Sequence, residues 1–245
     1  MAYEYFKQIT TILDKVQKEE TKTIDESSRK IAEAIMNENS IYIFGASHAG
    51  ILSEELFYRA GGLIPINPIF GSELLVSTSP ITRTSKMEKL DGYGTILADS
   101  VGFKENDILI IHSVSGRNPV SIDMAITARD KGVFVIGLTN MSYKDNVESR
   151  HKSGKLLFEF CDIVINNHGI VGDAACSIDG LTQKVGATST VIGAAILNTI
   201  VVEACNILAK NKVDVPVFYS ANIDGGYLKN KDLLEKHAKV IHYQN

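Results

Sequence analysis

Short runs of consecutive apolar residues constrain the fold of this chain more than any other feature of its sequence. There are five, at residues 41–44, 63–66, 108–111, 133–136 and 163–165. Each run is too short for a helix, and its apolar residues are consecutive rather than alternating. This pattern is typical of strands in a parallel sheet that helices cover on both faces. We therefore expect a five-stranded, mainly parallel sheet.

Helical periodicity fills the intervals between these runs. The predicted helices lie at residues 47–60, 118–131 and 189–210. Strands that alternate with helices through short connections indicate an α/β fold with a doubly wound sheet and helices on both faces.

Residues 3–38 precede the first strand and carry apolar residues three and four positions apart, which predicts two further helices. Thr23 is expected to cap the second helix, with Glu26 as the acid of a capping box. We expect residues 1–38 to pack on the core as a helical pair. Residues 39–245, including a C-terminal tail, are expected to form one structural unit with them.

Composition and charge exclude several classes of function. The net charge of −4 argues against general nucleic-acid binding, which needs a basic face to displace counterions. Three scattered cysteines, Cys161, Cys176 and Cys205, suggest free buried thiols rather than a disulfide framework, and no spacing indicates a metal site or a cofactor.

The same features bear on location. Free thiols fit a reducing cytosol. The N-terminal segment lacks the apolar core of a signal peptide. The longest apolar stretch, residues 191–208, is interrupted by Asn198, Glu203 and Asn206, so we expect no membrane span and a cytoplasmic protein.

Two loops rich in small and polar residues follow predicted strands and open predicted helices. The first is Gly45-Ala46-Ser47-His48-Ala49-Gly50, and the second is Ser113-Val114-Ser115-Gly116-Arg117-Asn118-Pro119. Backbone N–H groups at a helix N-terminus bind anions, and serine hydroxyls add donors. Each loop alone is also explained as a capped strand-to-helix turn. Together, at the carboxyl ends of parallel strands, they predict a phosphate site.

The segments around these loops resemble SIS (sugar isomerase) domains. The resemblance is carried by IYIFGASHAG (residues 41–50), by DILIIHSVSGRNPVSIDMAITARDKGVFVIGLTN (residues 107–140), with its S-x-S-G turn and terminal Leu-Thr-Asn, and by the Ser/Thr-rich segment 186–190. It covers about residues 30–210 and places the chain in a single-domain branch near the phosphoheptose isomerases. The resemblance implies an SIS-type, flavodoxin-like α/β fold and a phosphosugar ligand.

The resemblance also implies the binding residues. It places the phosphate- and sugar-binding positions at Ser47, His48, Ser113, Ser115, Gly116, Asn118, Ser189 and Thr190. One departure concerns Asn118, which stands in a region where the family commonly has threonine. An amide can hydrogen-bond a phosphate, but it supplies no hydroxyl group.

Isomerisation of a sugar requires a base, and usually an acid, close to the phosphate site. Glu73 follows the second predicted strand, where SIS isomerases and the related etherase carry a glutamate, and it is our predicted base. The alternative is an acid that favours a helix N-terminus. His168 follows the fifth strand and is the predicted acid, with a surface-loop histidine as the alternative.

Three functions stay open at this level. The first is an enzyme, either a phosphosugar isomerase acting through an enediol or a related etherase-type or lyase-type enzyme. The second is a phosphosugar sensor without catalysis, and the third is an interaction protein that keeps the fold with an inactive site. The apolar stripes of the N-terminal helices suggest a homodimer or tetramer. The segment Asn222-Ile223-Asp224-Gly225-Gly226 is either a glycine turn or a tail that reaches over a site, in this chain or a neighbouring subunit.

Overall fold

A computed structural model describes residues 3–244 and shows a central parallel sheet between two layers of helices. The strands of this sheet are β1 (Ile41–Gly45), β2 (Ile66–Ile69), β3 (Ile108–His112), β4 (Phe134–Thr139) and β5 (Ile163–Asn166). The helices are α1 (Glu4–Glu19), α2 (Thr21–Met36), α3 (Ile51–Leu56), α4 (Thr82–Met87), α5 (Tyr93–Val101), α6 (Pro119–Asp130), α7 (Ser189–Lys210) and α8 (Gly226–Lys236). A separate antiparallel hairpin pairs β6 (Ala174–Cys176) with β7 (Val185–Ala187).

The strand order is β2-β1-β3-β4-β5, with every neighbouring pair parallel. Helices α1, α2, α3 and α7 pack on one face of the sheet. Helices α5 and α6 pack on the other face. The predicted doubly wound α/β fold is therefore confirmed. Chain order reverses direction between β1 and β3, which is where such sheets bind ligands.

Alternate residues of each strand supply the two cores, because successive side chains of a strand point to opposite faces. Ile41 and Ile43 enter the cluster with α2 and α7. Tyr42 and Phe44 enter the cluster with α5 and α6. All four are buried. The apolar run is unbroken because helices cover both faces of the strand, as the sequence predicts.

The second strand differs from its predicted position. The prediction was residues 63–66, whereas β2 spans Ile66–Ile69. The apolar residues before it pair instead with the tail: Leu63 forms an antiparallel bridge with Val217, and the Ile64 amide donates to the Pro216 carbonyl at 2.8 Å. Apolar character alone does not distinguish these two kinds of pairing.

Two local helix predictions also need correction. The helix expected at 47–60 is a 3₁₀ turn followed by the short α3, and Phe57 is already extended. The capping box of Thr23 and Glu26 is wrong, because α2 begins at Thr21 and only Glu20 separates it from α1. The Thr23 hydroxyl instead donates to the backbone and side-chain oxygens of Glu20, at 2.9 and 2.8 Å.

The N-terminal helices share the apolar cluster of the sheet and α7, with Ile12, Val16 and Ile31 buried. Within residues 3–244, α7 is the one helix long and apolar enough to cross a membrane by length and composition alone. Its buried residues, among them Ile196 and Ile200, belong to the core cluster of the sheet. This is the position of a core helix.

Candidate functional site

The two predicted loops leave neighbouring strands at the same level of the sheet. Gly45, the last residue of β1, lies beside His112, the last residue of β3. Ser47 and Ser113 follow directly, so the first and second loops begin side by side at the carboxyl edge. This is the juxtaposition that the sequence predicts.

Close packing explains both glycines of the first loop. A Cβ atom on Gly45 would lie 2.4 Å from the Ala49 carbonyl oxygen, and one on Gly50 would lie 2.8 Å from the Gly45 carbonyl oxygen. Ser47 has a φ of 56° and begins the 3₁₀ turn, and Ala46, not Ser47, occupies the cap position. Ser47 is half-buried and His48 is exposed. The Ser47 hydroxyl has no hydrogen-bond partner within residues 3–244, so it can serve a ligand.

The second loop presents two serines on a fixed backbone. The Ser113 amide donates to the Leu138 carbonyl at 3.1 Å, and the Gly116 carbonyl accepts from the Leu157 amide at 2.8 Å. Gly116 has a φ of 62°, which favours glycine. Neither the buried Ser113 nor the half-buried Ser115 uses its hydroxyl in a hydrogen bond with the described residues, which leaves both hydroxyl groups to a ligand.

Asn118 is bonded on both sides of its amide. Its Nδ2 donates to Glu88 Oε2 at 2.7 Å, and its Oδ1 accepts from Arg150 Nη1 at 2.9 Å. Sequence reasoning missed Glu88 and Arg150, because neither belongs to a recognised motif and both are distant from Asn118 in sequence. The one feature of the sequence that could have pointed to Glu88 is the run of charged residues around it.

The N-terminus of α7 is held by Asp173. This carboxylate accepts four hydrogen bonds: from the amide and hydroxyl of Thr188, at 3.1 and 2.9 Å, and from the amide and hydroxyl of Ser189, at 2.8 and 2.5 Å. The predicted binding residue Ser189 therefore donates its hydroxyl within the protein. Thr190, one residue on, is half-buried. An Asp carboxylate at this position is favoured by the helix dipole.

His112 connects these segments. Its Nδ1 lies 3.1 Å from the Ala49 carbonyl in the first loop, and its Nε2 is buried without a partner in the described part of the chain. Burial lowers the pKa of His112 to about 4, against an opposing influence of Asp173. At neutral pH, His112 is therefore a neutral imidazole that contacts the first loop.

The two predicted catalytic residues lie in different environments. Glu73 is in a 3₁₀ turn and pairs with Arg83 at 3.2 Å, and both side chains are more than a third exposed. The side chain of His168 is only 5% exposed, and its Nε2 lies 2.8 Å from Glu20 Oε1, at the junction of α1 and α2. The structure thus gives His168 a contact with the N-terminal helices, and its role as an acid stays a prediction.

No group of three His, Cys, Asp or Glu side chains among residues 3–244 is placed to hold a metal ion. The three cysteines are free. Burial raises the pKa of Cys161 to about 12, so this thiol is not a nucleophile at neutral pH.

Known proteins resemble this chain in both sequence and structure. The family model described as the SIS domain matches residues 4–140. A UPF0309 protein of Shouchella clausii is 50% identical over 240 residues, with 98% of both chains covered. One of Oceanobacillus iheyensis is 51% identical over 240 residues, again with 98% of both covered.

Two solved structures share the fold at low sequence identity. The phosphoheptose isomerase of Francisella tularensis has a TM-score of 0.51 at 16% identity, covering 84% of this chain and 95% of the other. The phosphoheptose isomerase of Neisseria gonorrhoeae has a TM-score of 0.52 at 13% identity, covering 84% and 95%. The long match of sequence and the shared fold agree, and this chain therefore belongs to the UPF0309 family and carries an SIS domain.

Proposed function

We propose that this protein binds a phosphorylated sugar at the carboxyl edge of its sheet and isomerises it by proton transfer through an enediol. The observation that carries the proposal is the junction at His112, where β1 and β3 end in register and the histidine bonds the first loop. The second loop leaves the same strand end, and Asp173, which holds α7, is close enough to influence the His112 pKa.

The phosphate is assigned to the two loops. The hydroxyls of Ser47, Ser113 and Ser115 have no hydrogen-bond partner within residues 3–244, and the second loop opens the twelve-residue α6. The positive end of the helix dipole at that N-terminus favours an anion, although the Val120 amide already donates to the Glu88 carbonyl. Pro119 at the first turn of α6 fits this arrangement, because the missing N–H costs little there. Gly116 allows the left-handed backbone turn that gives the second loop its shape, and exposed His48 borders the site.

The sugar is assigned to the space between these loops and the start of α7, where Thr190 lies. Binding through the phosphate holds the carbon chain in place, so the reacting carbons meet the protein in one orientation. Isomerisation then needs a carboxylate or an imidazole to move a proton between neighbouring carbons. From sequence, Glu73 and His168 were the predicted base and acid. Both assignments stay untested predictions.

We also propose that the protein self-associates. Phe6 on α1 and Val202 on α7 are large apolar side chains more than half exposed, and a second copy of the chain is the partner that we expect to cover them. Light scattering at micromolar concentration should give a dimer or tetramer. A monomer would contradict this part of the proposal.

The tail segment 222–226 has a sufficient local explanation. Gly225 has a φ of 79°, and a Cβ on Gly226 would lie 2.1 Å from the Ser220 carbonyl oxygen, so both glycines are required by a tight turn that opens α8. A reach over a neighbouring subunit's site remains a prediction.

The proposal is tested first by binding. Thermal unfolding is followed for wild type, Ser115→Ala and the matched control Ser100→Ala, an exposed serine near the end of α5. The ligands are hexose, heptose, pentose and amino-sugar phosphates. A ligand at about 100 times its Kd adds ~2.7 kcal/mol, which is roughly 5–10 °C for a chain of this size.

A shift in wild type and Ser100→Ala, reduced in Ser115→Ala, supports the site. Absence of a shift with every sugar phosphate overturns it. Solvent exchange then separates catalysis from sensing: an isomerase incorporates deuterium from D₂O at the carbon beside the carbonyl, whereas a sensor binds the sugar without exchange.

A further inference from the structure

A second carboxylate, which no motif pointed to, stands closer to the second loop than the predicted base does. Glu88 immediately follows α4. Its backbone carbonyl accepts from the Val120 amide at 3.3 Å, and its Oε2 accepts from Asn118 Nδ2 at 2.7 Å. Backbone and side chain are thus both tied to the junction of the second loop and α6, so the carboxylate keeps a fixed position at Asn118, the residue that precedes α6.

The amide that holds Glu88 is itself oriented. Asn118 Oδ1 accepts from Arg150 Nη1 at 2.9 Å, and the Arg150 amide donates to the Arg117 carbonyl at 2.9 Å. Asn118 therefore presents its NH₂ group to Glu88 and cannot rotate without losing the Arg150 contact. Glu88 Oε1 has no hydrogen-bond partner in the described part of the chain, which leaves this oxygen to accept a proton.

Partial burial makes Glu88 a stronger base than an exposed carboxylate, against the opposing influence of its neighbours. Partial burial raises the pKa of Glu88, and its hydrogen bond from Asn118 opposes this shift, as do the charges of Lys89, Arg150 and His48. A carboxylate with a raised pKa accepts a carbon-bound proton more readily than an ordinary one.

Two other carboxylates that follow strands of the sheet, Glu73 and Asp173, are engaged elsewhere. Glu73 pairs with Arg83 in a solvent-exposed contact. Asp173 accepts four hydrogen bonds from the start of α7. Of these three carboxylates, Glu88 is the one that accepts a hydrogen bond from a side chain of the second loop.

We propose that Glu88 is the base of this site, and this inference rests on the proposed function. Glu88 takes the proton from the carbon beside the carbonyl of the open-chain phosphosugar. The C–H electron pair becomes the enediol double bond, and the carbonyl oxygen takes the proton of the neighbouring hydroxyl. Protonated Glu88 then returns its proton to the former carbonyl carbon. No oxidant or reductant is needed, because the two carbons exchange oxidation states.

Affinity labelling tests the assignment without knowledge of the sugar. Bromoacetol phosphate carries a phosphate group and a reactive carbon, and a carboxylate oxygen that displaces bromide from it forms a stable ester. Wild type is treated with this reagent with and without inorganic phosphate, and the esterified peptide is identified by mass spectrometry. We expect one phosphate-protected ester, on Glu88. Glu88→Gln should lose it, and Asp91→Asn, an exposed carboxylate three residues away, should keep it.

The pH profile separates a catalytic role from a structural one. Because the Asn118 hydrogen bond lowers the pKa of Glu88, Asn118→Ala should move the rise of the labelling rate to higher pH. Where a phosphosugar turns over, Glu88→Gln should lower the rate at least ~100-fold with an unchanged melting temperature. An unshifted profile in Asn118→Ala overturns the proposal.

The remaining outcomes distinguish the two claims. A phosphate-protected ester on Glu73 or another residue overturns Glu88 and leaves the phosphosugar site standing. A phosphosugar thermal shift with no protected ester also overturns Glu88 alone. Absence of both the ester and any shift overturns the proposed function, and the base assignment with it.

Discussion

The Nδ1 atom of His112, at the end of β3, lies 3.1 Å from the carbonyl oxygen of Ala49 in the turn that follows β1. A carbonyl only accepts, so Nδ1 carries the proton of the neutral ring. The other nitrogen is buried without a partner among residues 3–244. Burial lowers the pKa of this histidine to about 4, so His112 is neutral at physiological pH.

This histidine predicts a pH dependence of stability. The unfolded imidazole has a pKa of about 6.5, and the folded one binds its proton only near pH 4. Between these values the unfolded state binds more protons, so the free energy of unfolding should fall by up to roughly 3 kcal/mol as the pH drops. Urea unfolding at several pH values measures this slope.

His112→Asn is the matched variant, because its amide can donate to the Ala49 carbonyl but does not titrate. The slope should decrease in this variant. Burial also lowers the pKa values of His237 and His242, so these two residues should account for the pH dependence of stability that remains in the variant. A wild-type slope in His112→Asn would show that another group is responsible.

Gly45→Ala should distort the first loop. The new Cβ would lie 2.4 Å from the Ala49 backbone oxygen, and overpacking of this kind costs about 1–3 kcal/mol or more. Gly172→Ala is the comparison: it has a φ of 90° and open space, so backbone strain of ~1–2 kcal/mol is its main cost. Thermal unfolding and phosphate binding should both suffer in Gly45→Ala, and equal binding in the two variants would contradict a role for loop geometry.

Asp173→Ala should loosen the start of α7. Four hydrogen bonds to one carboxylate are lost, and we expect a cost of about 2–4 kcal/mol. Asp179→Ala removes an exposed carboxylate from the same segment and should change stability by less than ~0.5 kcal/mol. Denaturant unfolding compares them. Similar costs would mean that the Asp173 contacts contribute little.

His168 and Glu20 should behave as an energetically coupled pair. Their side chains are 5% and 10% exposed and 2.8 Å apart, and removal of one partner from a buried pair costs about 3 kcal/mol. In a double-mutant cycle with His168→Ala and Glu20→Ala, we expect a coupling of ~1–3 kcal/mol. A stable His168→Ala variant that has lost turnover would instead favour the predicted acid role.

The sheet and its functional edge could be predicted because they depend on local composition. A strand that is buried on both faces needs apolar side chains on both, so β1 and β3 can be recognised in the sequence as runs of consecutive apolar residues. The loops that follow them, Gly45–Gly50 and Ser113–Asn118, consist of small and polar residues and mark the edge where the parallel strands end. The long α7 was likewise predicted to its observed bounds, Ser189–Lys210.

The errors arose where distant segments compete for the same apolar residues. Leu63 and Ile64 read as a strand, but the tail at Pro216 and Val217 pairs with them, and β2 begins at Ile66 instead. The pattern of apolar residues in the sequence indicates that a residue is buried, but it does not indicate which segment packs against it.

The sequence by itself determined the class of fold, the two serine loops and their common edge, because these follow from patterns within a few residues. Only the tertiary structure brought Glu88 and Arg150 to Asn118, Asp173 to the start of α7, and Glu20 to His168. Each of these contacts joins residues at least 15 positions apart. Their distances depend on how the helices pack on the sheet, which no local pattern records.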